Sequence, residues 1–339
     1  MQTQILTFNS ENLKKCADEI LSGGIVAFPT ETVYGLGANA LDENAVKKIY
    51  VAKGRPSDNP LICHVSNKAQ IEKLGDVTPF ARKIIDAFMP GPITVVLSKK
   101  NCVSGVVTGG LNTVGVRMPD HEVARTFIAE CGVPLCAPSA NTSTKPSPTQ
   151  AKYVFDDLNG KIRYILDGGS CRVGIESTIV DCVNKRILRK GGVSEEQIEA
   201  VVGKLGKEPI KSDVPLCPGM KYKHYSPDAE VYLAKAGVDM TKRICDFYDK
   251  LVGKKIIFSL KGDYGNRNVV KVGDTVVQYA ENVFALFREA DKSGYRYIIC
   301  EGVEDCGIGA ALLNRLNKSS GGGKEWKFCF WMRQTLLRR

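Results

Sequence analysis

The sequence predicts an α/β protein built from two units joined by a linker, and three observations lead to this prediction. Short apolar runs alternate with segments of helical spacing along most of the chain, a pattern typical of sheets covered by helices. With 339 residues the chain is long enough for two units with sizeable cores. Residues 203–227 show no periodicity and contain four prolines, which is typical of a semi-rigid connection. We therefore predict units at 1–205 and 228–339 with a linker at 206–227.

The elements of the first unit follow from capping residues and from apolar runs bounded by turn residues. Ser10 is predicted to cap the first helix, and Asp42 the second, which ends near Lys53. Further helices are predicted at 68–74, 79–88, 123–130, 149–158 and after Ser194. Strands are predicted at 25–28, 61–65, 93–97, 114–118, 134–137, 163–166, 177–183 and 186–189. Residues 30–37 and 138–149 are rich in hydroxyls, glycine and proline, so both are predicted as loops.

The second unit is predicted to be a small Rossmann-like α/β domain, because strands and helices alternate there. The predicted strands lie at 230–233, 255–260, 268–272 and 295–300, and the predicted helices at 241–251, 279–290 and 307–316. Gly302, Gly307 and Gly309 follow a strand but do not form a Gly-x-Gly-x-x-Gly loop with a later acid. Nucleotide binding in this unit is therefore disfavoured. The basic, apolar tail that holds both tryptophans is predicted to be a packed or frayed terminus.

Composition disfavours several classes of protein. The twelve cysteines are scattered without a Cys-x-x-Cys pair and accompany only three histidines, which favours reduced thiols and disfavours a structural zinc. The sequence shows neither a leader pattern nor an apolar run long enough to span a membrane, so we expect a cytoplasmic protein with no membrane partner. The net charge of +10 permits attraction to nucleotides or weak binding to RNA, but a solvated lysine-rich surface explains it equally well.

A compact cationic turn, Lys53-Gly54-Arg55-Pro56, lies between two predicted strands. Arg117 and the stretch 139–141 also follow predicted strands, and ligands of open α/β sheets bind at strand ends. Lysine and arginine together suit a substrate that carries phosphate or carboxylate groups. A Lys-x-Arg turn on its own is usually solvated surface, although Gly54 and Pro56 favour a fixed conformation here. His64 is open to two interpretations, a hydrogen-bonded core histidine or a ligand contact.

Several common catalytic motifs are absent from the sequence. It has no P-loop lysine motif, so an ATP site would be built differently. It also has no Gly-x-Ser-x-Gly elbow and no His-Glu-x-x-His, so serine hydrolase and zinc protease chemistry are not predicted.

The motifs of residues 24–227 resemble those of the YrdC-like family, in the long two-domain form of the L-threonylcarbamoyladenylate synthases. A Lys-x-Arg pair with a Ser-x-Asn pair is the signature of that family. The segments that carry the resemblance are Pro29-Thr30-Glu31-Thr32-Val33-Tyr34-Gly35-Leu36, Lys53-Gly54-Arg55-Pro56, Asn59-Pro60-Leu61, Pro90-Gly91-Pro92-Ile93-Thr94, Val116-Arg117-Met118-Pro119, Pro138-Ser139-Ala140-Asn141, Glu176-Ser177-Thr178-Ile179-Val180, Pro218-Gly219-Met220 and His224-Tyr225-Ser226-Pro227.

The resemblance implies a YrdC-like twisted mixed sheet with flanking helices, and a linker that folds over the active site. It implies a nucleotidyltransferase that converts ATP, L-threonine and bicarbonate to threonylcarbamoyl-AMP and pyrophosphate, with Mg²⁺ accompanying ATP. The product would pass to the tRNA threonylcarbamoyltransferase machinery for threonylcarbamoyladenosine synthesis. Two departures are noted: Lys190 stands where many relatives carry proline, and the tail after Gly323 matches no expected pattern.

Site residues are carried over from the resemblance position by position. The expected catalytic residues are Lys53 and Arg55. The expected threonine-binding residues are Thr32, His64, Arg117, Ala137 and Ser177. The expected ATP-binding residues are Arg55, Asn59, Thr113, Ser139, Asn141, Ser147, Arg189 and Tyr225. No metal-ligating residue is assigned.

Two other functions compete with this interpretation. An RNA-binding module without catalytic activity would use the basic surface, but the sequence contains no RNA-reading motif. Carbamoyl transfer in hydrogenase maturation uses a related domain, but the zinc-finger cysteine pairs that accompany it are missing here.

Overall fold

The computed structural model describes residues 2–208, 214–219 and 225–321. In the first unit, the strands are β1 Gln4–Thr7, β2 Val26–Phe28, β3 Gly35–Asn39, β4 Ile62–His64, β5 Gly75–Asp76, β6 Ile93–Lys99, β7 Thr113–Arg117, β8 Leu135–Cys136, β9 Tyr164–Asp167, β10 Thr178–Asp181 and β11 Arg186–Arg189. The helices are α1 Ser10–Leu21, α2 Glu43–Lys53, α3 Lys68–Leu74, α4 Pro79–Phe88, α5 Gly105–Thr108, α6 Glu122–Cys131, α7 Ala151–Leu158 and α8 Glu195–Val202.

The strands of the first unit form one mixed sheet in the order β1-β9-β2-β3-β8-β4-β7-β6-β10-β11, and β5 pairs with β6. Parallel pairs such as β4 with β7 alternate with antiparallel pairs such as β3 with β8. Successive residues of β2 point to opposite faces, as a strand requires: Val26 and Phe28 pack under α1 and α6, and Ala27 packs in the larger core on the other face. The predicted mixed α/β class is confirmed.

Caps set the ends of the helices that carry site residues. Asp42 caps α2 as predicted, accepting hydrogen bonds from the backbone N–H groups of Asn44 and Ala45. Gly54 ends α2 in the left-handed conformation (φ 60°, ψ 41°), which glycine adopts without strain. The cap of α1 is Asn9 rather than the predicted Ser10, because either residue type can accept the capping hydrogen bond and the chain turns one residue earlier.

The sequence prediction missed β1, β3, β5 and α5. The most consequential of these is β3, whose sequence Gly-Leu-Gly-Ala-Asn was predicted as loop. A Cβ atom at Gly37 would lie 2.8 Å from the Phe28 ring, so the glycine permits a close approach of β3 to β2. Pairing with β2 and β8 overrides the low strand propensity of glycine here.

The second unit contains the strands β12 Glu230–Ala234, β13 Lys255–Ser259, β14 Val269–Lys271 and β15 Tyr297–Glu301. Its helices are α9 Met240–Lys250, α10 Val276–Lys292 and α11 Gly307–Ser319. The strands pair in the order β12-β15-β13-β14, and every one of these pairs is parallel. Helices connect β12 to β13 and β14 to β15, as predicted, whereas β13 and β14 follow each other without a helix between them.

The two units are packed against each other in the described residues. Val33 and Ile175 of the first unit belong to the same apolar cluster as Phe284 of α10. A Cβ atom at Gly174 would lie 2.3 Å from the Cα of Glu281 in α10, so this loop meets the helix backbone directly. The part of the linker at 209–213 and 220–224 and the tail from 322, with both tryptophans, lie outside the described residues.

Two predictions from composition can be compared with the structure. The cysteines of the described residues are free thiols, most of them buried, and Cys329 lies outside those residues. Within the same ranges, every helix is too short or too polar to cross a bilayer.

Candidate active site

A small cavity of about 60 Å³ lies where β2, β4, β7 and β10 end or begin, and most of the predicted site residues line it. These are Thr32, Arg55, His64, Arg117, Ala137, Ser139, Ser177, Arg189 and Tyr225. The described part of the linker contributes Pro218, Gly219 and Tyr225 to the same lining. The other predicted residues, Lys53, Asn59, Thr113, Asn141 and Ser147, are not part of this lining.

The loop after β2 is held rigid by Thr30. Its hydroxyl oxygen accepts hydrogen bonds from the backbone N–H groups of Thr32 and Val33, both at 3.2 Å, and donates to the Val33 carbonyl at 2.6 Å. The Thr32 hydroxyl lies 2.8 Å from that of Thr30. This local hydrogen bonding offers the backbone an alternative to the sheet, so Thr32 faces the cavity in a fixed position.

Arg117, the last residue of β7, forms a buried ion pair with Glu31. Arg117 Nη2 lies 2.7 Å from Glu31 Oε2, but neither Glu31 oxygen accepts a hydrogen bond, and Arg117 Nε and Nη2 have no hydrogen-bond partner. The contact is therefore an ion pair of poor hydrogen-bonding angle. A buried guanidinium with unmet N–H donors at a cavity wall is suited to bind a carboxylate through two parallel hydrogen bonds.

His64, the last residue of β4, combines the two interpretations left open by the sequence. The side chain is buried, with Nδ1 3.1 Å from the Ile62 carbonyl and the ring 5.9 Å from the Phe28 ring in an edge-to-face arrangement. It also lines the cavity. Burial, and then the charge of Arg117, lower the pKa of His64 to about 3, so the imidazole is neutral at physiological pH.

Lys53 and Arg55 differ in position, although the sequence predicted that both would face one substrate. Arg55 lines the cavity; its Nη2 donates to the carbonyls of Asn59 and Pro60, and its buried Nε has no partner. Burial lowers the pKa of Arg55 to about 10. Lys53 instead donates to the carbonyls of Ser139 and Asn141, both at 2.5 Å. The left-handed turn at Gly54 separates the two directions.

Lys53 is only 2% exposed. Burial, followed by the nearby Arg55 charge, lowers its pKa well below the usual value. Its hydrogen bonds fix the Ser139–Asn141 backbone, where Gly35 and Ser139 also form an isolated bridge. Arg55 thus lies at the cavity and Lys53 holds the neighbouring loop, and the catalytic role expected for both residues stays a prediction.

Asn141 and Ser147 belong to the same polar loop but turn away from the cavity. Asn141 Nδ2 donates to the carbonyls of Thr142 and Lys145. Ser147 donates to Glu176 Oε1 at 2.6 Å, and Glu176 itself lines the cavity. Asn59 is buried beside the Arg55 turn, and its Oδ1 has no partner. Ser147 therefore reaches the cavity only through Glu176.

Part of the linker closes one side of the site. Arg189 Nε and Nη2 donate to the Ser177 carbonyl, and Nη1 donates to the Pro218 carbonyl at 3.3 Å. Gly219 has a φ of 91°, and a Cβ atom there would lie 3.1 Å from the Tyr225 hydroxyl, so a side chain would be strained in the backbone and tight against the tyrosine. Leu216 and Cys217 cover a separate hollow of about 10 Å³ that Thr113 lines.

Some residues at the site were not predicted from the sequence. Glu31 and Glu176 lie within motifs that carry the resemblance, next to the predicted threonine-binding residues Thr32 and Ser177, and that position was the available signal. Phe284 and Arg315 come from the second unit: the Tyr225 ring stacks on Phe284 at 5.3 Å, and Arg315 pairs with Glu176. No sequence signal links them to the site, since the contacts depend on how the two units pack.

The described ranges contain no cluster of three or more histidine, cysteine or acidic residues that could hold a metal ion. The two carboxylates nearest the cavity, Glu31 and Glu176, are each paired with an arginine. These residues do not make a site for Mg²⁺ by themselves.

Comparisons with known proteins cover nearly the whole chain. Residues 18–191 match a family model described as "Telomere recombination", and residues 193–321 match one described as "Threonylcarbamoyl-AMP synthase, C-terminal domain". The chain is 47% identical over 321 residues to a threonylcarbamoyl-AMP synthase of Pyrococcus abyssi, covering 91% of this chain and 94% of the relative. It is 42% identical over 335 residues to one of Bacillus subtilis, covering 94% and 96%. The crystal structure of P. abyssi Sua5 complexed with L-threonine has a TM-score of 0.90 at 44% identity, covering 94% of this chain and 98% of that one.

Proposed function

The chain belongs to the threonylcarbamoyl-AMP synthase family, and from this premise we propose that it converts ATP, L-threonine and bicarbonate to threonylcarbamoyl-AMP and pyrophosphate. The observation that carries the proposal is a cavity whose walls include Arg55 and Arg117, two arginines with buried N–H groups that have no hydrogen-bond partner. Buried donors without partners are costly, and a carboxylate or phosphate would satisfy them.

Threonine is proposed to bind at the Arg117 end of the cavity. Arg117 would bind the threonine carboxylate, and this carboxylate would compete with Glu31 for the Arg117 guanidinium. Thr32, Ser177 and the neutral His64 offer polar contacts for the amine and the hydroxyl, and Ala137 leaves space for the side-chain methyl group. The P. abyssi relative has a structure with L-threonine, which supports threonine as a substrate.

The nucleotide is proposed to bind at the Arg55 end. Arg55, Ser139, Arg189 and Tyr225 line the cavity and are proposed to face the nucleotide, because they offer positive charge and hydrogen bonds to phosphate and ribose. Asn59, Thr113, Asn141 and Ser147 lie outside this lining, so their contact with the nucleotide stays a prediction from the resemblance. A cavity of about 60 Å³ is smaller than the roughly 300 Å³ or more of typical ligand clefts. The cavity must therefore widen to admit ATP.

The proposed reaction forms two bonds and needs no covalent bond to the protein. The threonine ammonium group loses a proton, and the resulting amine nitrogen forms a C–N bond to bicarbonate; a C–O bond of bicarbonate breaks, water leaves, and a carbamate results. A carbamate oxygen then attacks the α-phosphorus of ATP; a new P–O bond forms, the bond to the β-phosphate oxygen breaks, and pyrophosphate leaves. The contribution of the protein is to position the reactants and to stabilise developing negative charge. Arg55 can supply the positive charge that stabilises it. Lys53 acts as a positioning residue by holding the 139–141 backbone.

Mg²⁺ would enter as a complex with the nucleotide phosphates, and no step above depends on it. The product would serve the machinery that transfers threonylcarbamoyl to tRNA, in the cytoplasm. The basic surface leaves weak binding of RNA as an additional property.

The test is release of pyrophosphate from ATP by the purified full-length chain. Release is expected only when threonine and bicarbonate are both present, together with a product of the mass of threonylcarbamoyl-AMP. Equal release without threonine would sink the proposal. Binding of RNA with no pyrophosphate release would instead support the RNA-binding module.

A further inference from the structure

Arg315 of the second unit reaches the edge of the cavity formed by the first unit. It lies on α11, is fully buried at 0% exposure, and its Nε donates to Glu176 Oε2 at 2.7 Å. The other oxygen of the same carboxylate, Oε1, accepts from Ser147. Because Glu176 lines the cavity, the charge state of this wall depends on a residue of the other unit.

A carboxylate is an unfavourable neighbour for a bound triphosphate. Without a counter-charge, Glu176 would repel the nucleotide, and like charges in a water-poor cavity interact strongly. Arg315, which is not part of the cavity lining, forms an ion pair with Glu176 and neutralises it. Although burial raises the pKa of Glu176, the charges of Arg315 and Arg189 bring it below the usual value, so the pair is ionised.

The same face of α11 also holds the linker. The Arg315 guanidinium lies 5.4 Å from the centre of the Tyr225 ring, in cation–π geometry. Lys318 donates to the Gly219 carbonyl at 2.5 Å, and the Ser319 hydroxyl donates to the Tyr225 carbonyl at 2.7 Å. Positions 315, 318 and 319 are three and four residues apart, so they share one face of the helix. Both linker residues line the cavity.

We propose that Arg315 is a positioning residue for the nucleotide, supplied by the second unit, which neutralises Glu176 and orders Ser147 and Tyr225 around the phosphates. This inference rests on the proposed function and assigns a task to the second unit within it. It predicts a selective effect, because Arg315 contacts Glu176 and Tyr225, which are proposed to face the nucleotide, whereas Arg117 and Glu31 form a separate ion pair.

The experiment compares Arg315→Met with the double variant Arg315→Met, Glu176→Gln in the pyrophosphate assay and in titrations with threonine. Arg315→Met should raise KM for ATP roughly tenfold or more, since a buried charge loses its partner. Threonine affinity should change by less than about threefold. The double variant should recover most of the loss, because the carboxylate that repels the phosphates is gone.

Arg288→Met is the matched control. Arg288 also joins the two units through a buried ion pair, with Asp157, at 2.8 Å, but Asp157 does not line the cavity. This variant is expected to lower stability and leave KM for ATP within about threefold of the wild type. A tenfold increase here as well would show that general docking of the units, and not Arg315, sets nucleotide affinity.

Three other outcomes would contradict the role of Arg315. An unchanged KM for ATP in Arg315→Met, equal losses of ATP and threonine affinity, or no recovery in the double variant would each overturn the inference. Should Arg315→Met fail to fold, the double variant is compared with Glu176→Gln alone, and a tenfold difference in KM for ATP between them would reject action through Glu176. Failure of the proposed function is a separate result, since wild type itself would then release no pyrophosphate with threonine and bicarbonate.

Discussion

The two sheets of this protein treat the ends of their parallel strands in opposite ways. In the first unit, β4 and β7 end at His64 and Arg117, beside a cavity where buried arginine N–H groups have no hydrogen-bond partner. In the second unit, β15 ends at Glu301, and its carboxylate occupies the equivalent place. It accepts hydrogen bonds from the backbone N–H groups of residues 260–262 at 2.7 to 3.0 Å, and from the hydroxyls of Ser259 and Tyr264.

This difference separates fold from function. Carboxyl ends of parallel strands are where α/β proteins bind ligands, and both units have such an edge. The second unit satisfies its backbone donors with its own carboxylate, so an anion from solution would have to displace Glu301. The first unit leaves buried N–H donors without hydrogen-bond partners. Such donors lower the stability of the folded chain, and they favour binding of a ligand that carries negative charge. The unmet donors, and not the sheet topology, mark the functional edge.

The largest effect is expected for Arg117→Met. Removing one partner leaves the Glu31 charge buried without compensation, which should cost about 3–5 kcal/mol in the free energy of unfolding and abolish threonine binding. Urea denaturation and calorimetric titration measure the two effects. The control is Arg82→Met, whose partner Glu72 is 54% exposed; its loss should stay below about 1 kcal/mol. Equal losses in both variants would show that the Arg117 pair has no special role.

Arg55→Ala should act on the reaction with little effect on the fold. If Arg55 stabilises charge that develops on the phosphates, its loss should raise the barrier by about 2.7–4 kcal/mol, which corresponds to a fall of 10²–10³ in the rate of pyrophosphate release. Lys47→Ala is the control, since Lys47 is an exposed cation of α2, the helix that ends just before Arg55. A rate for Arg55→Ala within threefold of the Lys47→Ala rate would reject the assignment.

Lys53→Ala sharpens the comparison within the cationic turn itself. Its ammonium holds two carbonyls of the 139–141 loop, so the expected loss is about 10²-fold in rate through misplacement of that loop, and stability should fall as well. Arg55→Ala is expected to leave the melting temperature nearly unchanged. Equal stability of the two variants would contradict the division between a positioning cation and a substrate-binding cation.

Glu301→Gln tests the second unit. An amide keeps one acceptor oxygen but presents an N–H₂ group to the backbone donors, so we expect a loss of about 1.5–3 kcal/mol in unfolding free energy. The rate of pyrophosphate release should be unchanged at a temperature where the variant is folded. A variant that retains full stability but loses activity would break the comparison, because Glu301 would then belong to the functional edge.

Most helices and strands could be predicted from the sequence, because a single local signal, such as a capping residue or a periodic apolar pattern, determines each of them. Asp42, Gly54 and Ser194 mark helix ends through their own side chains or backbone, and the apolar periodicity of α4 and α10 needs no tertiary information. The prediction of β3 was wrong because its glycines have low strand propensity, and only the packing of Gly37 against Phe28 makes them suitable. This packing is a tertiary contact, and a local sequence pattern does not reveal it.

The site residues show the same limit: those within local motifs could be predicted, and those that depend on tertiary contacts could not. The resemblance gathered the residues that line the cavity, yet it gave Lys53 and Arg55 one joint role. The structure separates them, because a single left-handed residue, Gly54, redirects the chain. Arg315 could not be predicted, since its contact with Glu176 joins positions 139 residues apart in different units. Contacts of this kind depend on the docking of two independently patterned cores.

The smallest expected effect concerns His64, which is kept neutral by burial and by Arg117. Its pKa is about 3 in the folded chain, compared with the ordinary 6.5. Between these values the unfolded chain binds a proton that the folded chain does not, so stability is present above about pH 6.5 and is lost as the pH falls. From pH 7.5 to pH 5.5 the histidine should contribute a loss of about 1.4 kcal/mol. His64→Gln removes this contribution. Over the same pH interval, the unfolding free energy of the variant should therefore fall by about 1.4 kcal/mol less than the unfolding free energy of the wild type. Identical falls in urea denaturation would mean that His64 is protonated in the folded chain, and the threonine end of the cavity would then carry one more positive charge than we have assigned to it.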